Sequence, residues 1–249
     1  MERLVVKILG NGGCINNGLP YNAFLINGHF LSETPPDVMV SLQKLGIDFE
    51  KIDTIFISHL HGDHTFGMPF FIINKWVNSL KGIKASPLTV LGPEGTEEHI
   101  KKITSAAFTT SHPSYAWLEQ NIRYKIIGRD FQMTWSNLSL SCFELQHLVE
   151  TYGLLLRRGE EHVFAYIADT SWCPQVEQVL AGKPKIVLID MNGGRGNVHV
   201  SLEEVIEKGV PITGRGTVYY GIHLAGEFDS AFDGVNCAKQ GDEIEINYA

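Results

Sequence analysis

Residues Ser58 to His64 read Ser-His-Leu-His-Gly-Asp-His and follow directly on the apolar run Ile55 to Ile57. Three imidazoles and a carboxylate are crowded onto one loop. Both are preferred donors for borderline-soft divalent metals, and the four side chains are too close together for one ion to use comfortably. At strand-like spacing His59 and His61 project to the same side, because side chains repeat every second residue. Asp63 and His64 come off the turn in other directions. The loop therefore reads as built for two metals, with His59 and His61 on one and Asp63 and His64 on the other. Gly62 is expected to let the backbone turn sharply between the pairs.

A loop of this kind needs a rigid strand behind it, and Ile52 to Ile57 supplies one. Upstream, Leu4 to Leu9 reads as a strand ending in the turn Gly10-Asn-Gly-Gly13, and Tyr21 to Ile26 with Phe30 and Leu31 reads as a hairpin. Thr34-Pro-Pro-Asp37 reads as a helix start with Thr34 as N-cap and Gly46 as the stop. Met68 to Val77 is apolar enough for a largely buried helix. Leu88 to Leu91 is a strand, followed by a helix capped by Thr96. Alternation from Ile122 to Leu145 marks half-buried strands. Leu154 to Leu156 and Val163 to Ile167 form a hairpin, Pro174 to Leu180 a helix and Lys185 to Ile189 a buried strand. Ser201-Leu-Glu-Glu204 is a capping box, and Thr217 to Ile222 and Glu243 to Ile246 are closing strands.

The stretch Ser58-His-Leu-His-Gly-Asp-His-Thr-Phe-Gly-Met68 resembles the metallo-β-lactamase fold superfamily, whose signature is H-x-H-x-D-H after a core strand. Within that superfamily it is most similar to the ribonuclease Z and metallo-phosphodiesterase branch. The resemblance implies an α/β (α+β) chain folded as a four-layer αββα sandwich, one hydrolase domain over residues 1–249, with a metal cleft where strand-end loops converge. It also implies further ligands in a fixed order: His147 after the strand Leu138 to Leu145, Asp169 as the bridging carboxylate in Tyr-Ile-Ala-Asp-Thr170, and His223 at the end of Val218-Tyr-Tyr-Gly-Ile-His. Together with His59, His61, Asp63 and His64 these make five His and two Asp. That nitrogen and oxygen set suits two divalent ions, zinc first and manganese or iron as alternatives.

The reaction implied is metal-dependent hydrolysis by a bridging hydroxide, with Asp63 and His199 as candidate catalytic residues. His199, in Gly196-Asn-Val-His-Val, resembles the histidine that phosphodiesterase-type members place beside the phosphoryl group, and Asp190, which stands where ribonuclease Z carries a Glu, is expected to orient it. Glu33 stands where the branch normally has an Asp supporting the histidine loop, so its extra methylene leaves that support open. Ribonuclease Z grips tRNA with an arm inserted between the third His and the bridging Asp. Here the hairpin fills that interval, which favours a small phosphodiester or nucleotide-like substrate over tRNA. The alternatives are a ribonuclease Z-type tRNA endonuclease, an acyl hydrolase of the same fold (lactonase or thioesterase), and a non-catalytic metal-binding accessory protein of a biosynthetic pathway.

Composition is consistent with this reading. A net charge of −8 and a pI near 5.7 argue against a large non-specific nucleic-acid surface. Cys14, Cys142, Cys173 and Cys237 lack C-x-x-C spacing, which leaves out a zinc ribbon and a dithiol redox motif. The first residues lack the features of a signal peptide and no apolar run has membrane-spanning length, so no membrane partner and a cytoplasmic location are expected. A homodimer is the assembly to test. His29, His99, His112 and His162 lie off the ligand pattern and are expected to be structural or exposed.

Overall fold

The computed structural model describes residues 2–84, 86–193, 198–229 and 234–249. Gly196 and Asn197, which open the His199 motif, lie outside these residues. The strands in chain order are β1 (Glu2–Gly10), β2 (Ala23–Ile26), β3 (Phe30–Ser32), β4 (Thr54–Phe56), β5 (Leu88–Gly92), β6 (Ile122–Ile126), β7 (Gln132–Trp135), β8 (Leu138–Leu145), β9 (Thr151–Arg158), β10 (Glu161–Ile167), β11 (Ile186–Asp190), β12 (Val218–Ile222), β13 (Val235–Cys237) and β14 (Glu243–Tyr248). Among the described residues they form two seven-stranded sheets, ordered β14-β1-β2-β3-β4-β5-β6 and β13-β12-β11-β10-β9-β8-β7.

Period-two alternation in the first sheet explains why the protein has two cores. Leu4, Val6, Ile8, Phe24, Ile26, Phe30, Phe56 and Leu91 face the second sheet and pack with residues such as Leu140, Leu154, Phe164 and Tyr166. Their neighbours Ala23, Leu25, Leu31, Ile55, Ile57 and Val90 face the other way, onto helices. Successive side chains of a strand point to opposite faces, so a strand buried on both sides must be apolar at nearly every position. The outer layer on the first sheet consists of α1 (Val38–Lys44), the short α2 (Gly62–Thr65), α3 (Met68–Leu80), α4 (Thr96–Phe108) and α5 (Pro113–Asn121). On the second sheet it is α6 (Pro174–Ala181) and α7 (Leu202–Glu204), which runs on into a π-helical turn at Val205–Gly209. No helix among the described residues is long and apolar enough to cross a membrane.

Several local expectations are corrected. The N-cap of α1 is Asp37, and the Thr34 hydroxyl instead donates to the His64 carbonyl at 3.3 Å, tying the proline turn to the histidine loop. Thr96 is the first residue of α4 rather than its cap, and its hydroxyl donates to the Pro93 carbonyl at 2.7 Å. In both cases the hydroxyl found a carbonyl acceptor, so the capping geometry was not needed. Helix α3 is largely buried over Met68 to Val77 as expected, with Phe70 exposed, and the buried residues include Lys75. Lys75 Nζ donates to the carbonyls of Glu50 and Ile52 at 3.2 and 3.0 Å, which satisfies a charge that would otherwise be costly to bury. The capping box at Ser201 is present in both directions.

Strand direction decides where the chemistry gathers. β3, β4 and β5 run parallel, as do β10, β11 and β12, while β8 reaches the same direction as β10 through the antiparallel β9. The C-terminal ends of β4, β8, β10, β11 and β12 therefore open on one edge of the sandwich. A backbone bond from Tyr152 N–H to the Ser58 carbonyl, 3.0 Å, joins the sheets at that edge.

Candidate metal centre

β4 runs out at Phe56 and the next residues form the histidine loop. His61 is the N-cap of α2, so Asp63 and His64 leave from a helical turn rather than a continued strand. Gly62 turns the chain into α2 without a positive φ. A Cβ there would lie 2.7 Å from the ring of the half-exposed Phe66, which would have to move aside. The other half of the centre comes from the second sheet: His147 beyond β8, Asp169 beyond β10, Asp190 at the end of β11 and His223 beyond β12.

The structure brings all seven expected ligand positions together. His59, His61 and His147 form one group and Asp63, His64 and His223 another, with the donor atoms of each group within 4.8 Å of one another. Asp169 lies between them. One of its oxygens, Oδ2, is 4.0 Å from His59 Nε2 and from His147 Nε2 and 3.2 Å from His223 Nε2, and the other, Oδ1, is 3.5 Å from His64 Nε2. Both nitrogens of His64 and of His147, together with Asp169 Oδ1 and His223 Nδ1, are buried without a hydrogen bond. Unsatisfied buried donors and acceptors are uncommon and costly, and here they are clustered. The set is rich in imidazole nitrogen and carboxylate oxygen and free of thiolate, so it is able to hold divalent metal.

Charge in this cage is strongly redistributed. Burial works against a charged His64, yet Asp169 and Glu33 raise its pKa well above the ordinary imidazole range. Burial likewise opposes a charged His223, but Asp169, Asp190 and Asp63 push it up to about 10. Asp169 responds in the opposite sense: burial would raise it, and the histidines around it, His223 and His64 foremost, hold it well below the usual carboxylate range. Burial lowers His59 and His147. A cation entering the cage would displace the protons that His64 and His223 otherwise keep.

Glu33 lies under the histidine loop and is fully buried. Its carboxylate accepts from Ser58 N–H at 3.3 Å and from the Tyr166 hydroxyl at 2.9 Å, and Oε2 lies 3.4 Å from His64 Nδ1. The longer side chain thus reaches the loop and, through Tyr166, the second sheet. Tyr166 is a contact that the sequence reading missed, although it stands three residues before Asp169. Glu33 has a φ of 65° and His223 one of 55°, conformations that cost an L residue roughly 1–3 kcal/mol each and cluster at functional sites. Glu33→Ala would leave the Ser58 amide and the Tyr166 hydroxyl without their acceptor. Denaturant unfolding should then show a loss of about 2–4 kcal/mol. An unchanged midpoint would mean that water replaces the carboxylate freely.

Asp190 is a fully buried hub. Its Oδ2 accepts from His199 Nδ1 at 2.7 Å and from Thr170 N–H at 3.3 Å, and its Oδ1 accepts from Asn192 N–H at 3.0 Å and lies 3.5 Å from His223 Nδ1. Burial lowers the pKa of His199, but Asp190 and Asp169 outweigh it and the net shift is upward. His199 lines one cavity of 760 Å³ with His61, Asp63, His147, Asp169 and His223 of the metal-type groups, and with Ile15, Tyr21, Phe66, Leu148, Asn192 and Val198. The off-pattern histidines lie outside this cavity lining. His29 pairs with Asp53, His112 caps α5, and His99 Nε2 is 2.9 Å from the Thr65 hydroxyl behind the loop.

Two stacked sheets flanked by helices, with His/Asp groups at one edge, define the metallo-β-lactamase class of hydrolase. The fold recurs in the metallo-β-lactamase fold protein YhfI of Bacillus subtilis, with a TM-score of 0.78 and 18% identity over 98% of this chain and 100% of that one. It recurs also in a diphosphatase of the PhnP family, with a TM-score of 0.75 and 17% identity over 98% and 97% of the two chains. Within this class the chain belongs to the family described as Anti-Pycsar protein Apyc1, which matches residues 6–222. Among curated proteins, ribonuclease Z of Ignicoccus hospitalis is 29% identical over 158 residues, which are 62% of this chain and 49% of that enzyme. The matching part thus spans about half of that relative's length, and about a third of other ribonucleases Z and BN.

Proposed function

We propose that this protein is a two-metal phosphodiesterase acting on small diesters. The observation that carries the reading is the Asp190–His199 pair at the edge of the metal-type groups, with His199 Nδ1 2.7 Å from Asp190 Oδ2 and 3.9 Å from Asp169 Oδ2. His59, His61 and His147 would hold one cation and Asp63, His64 and His223 the other, with Asp169 between them. When bound, such a pair acidifies water at neutral pH and neutralises charge on phosphoryl oxygens.

The remaining steps fall to the side chains. Asp190 takes up His199 Nδ1–H, which fixes the ring and leaves Nε2 to serve the substrate. With its pKa raised, His199 keeps a proton at Nε2 that it can give to the departing oxygen. Asp63 Oδ2 is 3.2 Å from His223 Nε2, and its carboxylate lines the cavity where it can accept the proton of the attacking water. Exclusion of bulk water falls to the half-exposed Phe66 and to Leu148 and Val198 at the mouth.

Small diesters fit better than tRNA. Between His147 and Asp169 the chain makes β9, a turn at Gly159 and Glu160, and β10, which leaves no inserted arm there. The described lining of the cavity also carries no Lys or Arg to grip a polyanion.

Treatment with a chelator should abolish hydrolysis of bis(p-nitrophenyl) phosphate, and zinc or manganese should restore it with metal content near two per chain. A chain that binds metal and cleaves a lactone or thioester while leaving the diester intact would replace this reading by acyl hydrolysis. Bound metal with no ester cleaved would replace it by an accessory role.

A further inference from the structure

A phosphodiester carries one negative charge shared by two non-bridging oxygens, and the cavity offers it no Lys or Arg among the described residues. On the reading above, cations held by the two His/Asp groups would neutralise phosphoryl charge and His199 would serve the departing oxygen. A neutral donor from the protein would stabilise a phosphoryl oxygen left without a cation or His199 as partner.

Asn192 and Tyr21 are neutral side-chain donors in the lining, and only Asn192 is tied to the catalytic hub. Its backbone N–H donates to Asp190 Oδ1 at 3.0 Å, while Oδ2 of the same carboxylate holds His199. One buried carboxylate thus sets the positions of both residues. The opposite side is set by Gly13. A Cβ at Gly13 would stand 2.4 Å from Asn192 Nδ2, 2.8 Å from the His223 carbonyl oxygen and 3.0 Å from His223 Cε1. Gly13 does not adopt a positive φ, so its role here is the space it leaves. That space lets the Asn192 amide nitrogen lie beside the His223 ring, at the margin of the metal-type groups.

We propose that Asn192 is a substrate-contacting residue, its Nδ2–H donating to the non-bridging phosphoryl oxygen that faces away from the cations. This rests on the phosphodiesterase reading. His199 then acts on the leaving oxygen and Asn192 on the charge of the phosphoryl group, both oriented by Asp190.

The test uses the full chain loaded with zinc, inorganic phosphate as a calorimetric probe, and bis(p-nitrophenyl) phosphate as substrate. Asn192→Ala is expected to weaken phosphate binding and raise KM by roughly ten- to a hundredfold, with zinc content unchanged. Asn192→Asp keeps the shape but turns a carboxylate on the anion, and should weaken phosphate further. Asn192→Ser keeps a shorter donor and should fall between wild type and alanine; it and Asn192→Asp carry the test if Asn192→Ala does not fold. Wild-type phosphate affinity in the folded variants, with the diester still cleaved, overturns the role of Asn192 and leaves the phosphodiesterase reading standing. Zinc content falling in step with phosphate affinity in every variant overturns it too, by making Asn192 a support for His223. Wild-type protein that neither binds phosphate nor cleaves the diester overturns the phosphodiesterase reading, and this proposal with it.

Discussion

Asp169→Ala is expected to lower diester turnover by about a thousandfold or more, the equivalent of roughly 4 kcal/mol of transition-state stabilisation. It should also take metal content below two per chain. The reason is position: Asp169 is the carboxylate that approaches both triads, with His59 and His147 on one side and His64 and His223 on the other. Without it, a cation on either side loses its shared anionic donor, and six donors must face two dications with one carboxylate, Asp63, among them. Asp169→Asn separates charge from volume. It fills the same space, so the fold should persist, while metal content should fall nearly as far as in the alanine variant. Plasma emission measurements on the two variants decide the matter. Two ions retained in both would remove Asp169 from the bridging role.

His199→Ala should be the second largest change and should differ in kind. Turnover of bis(p-nitrophenyl) phosphate is expected to fall by about 10²–10⁴, the range for loss of a positioned proton donor, while metal content stays near two. Asp190→Asn should act in the same direction but less strongly. It retains a partner for His199 Nδ1 and removes the charge that raises the His199 pKa. Asp190→Ala would be a poor probe, since the amides of Thr170 and Asn192 also depend on that carboxylate. Full turnover in His199→Ala would exclude His199 from the chemistry and turn attention to acyl substrates, for which no such donor is required.

Much of this site can be read in the sequence, for a physical reason. The histidine loop is dense enough to read by itself, whereas His147, Asp169 and His223 are expected through the resemblance, and what they share in the sequence is an apolar run that stops at His or Asp. The layered fold follows similarly from strands apolar at nearly every position between two cores. Information fails where one residue's role is set by a distant neighbour. Gly62 looks like a turn glycine, yet its neighbour in space is the Phe66 ring, four residues on in the same helical turn. Thr34 and Thr96 look like caps, yet each hydroxyl found a nearby carbonyl. Helix α5 has apolar residues scattered around its circumference, and β13 is three residues long and stands only by pairing with β12. Asn192 sits beside glycines and reads as loop; its tie to Asp190 and its fit against Gly13 exist only in three dimensions.

The two halves of the centre are far apart along the chain, and this sets the timetable of its assembly. During synthesis the loop bearing His59, His61, Asp63 and His64 emerges early, with the first sheet still lacking β14, the strand that borders β1. His147, Asp169 and His223 follow in turn, the last at the end of β12. The group of Asp63, His64 and His223 is complete only once β12 has docked, and N-terminal segments fold ahead of the rest. Loading of both groups would therefore be complete late, when the strand ending at His223 is in place. An ion held by either group would join residues of the two sheets, so heat resistance should rise with free metal concentration.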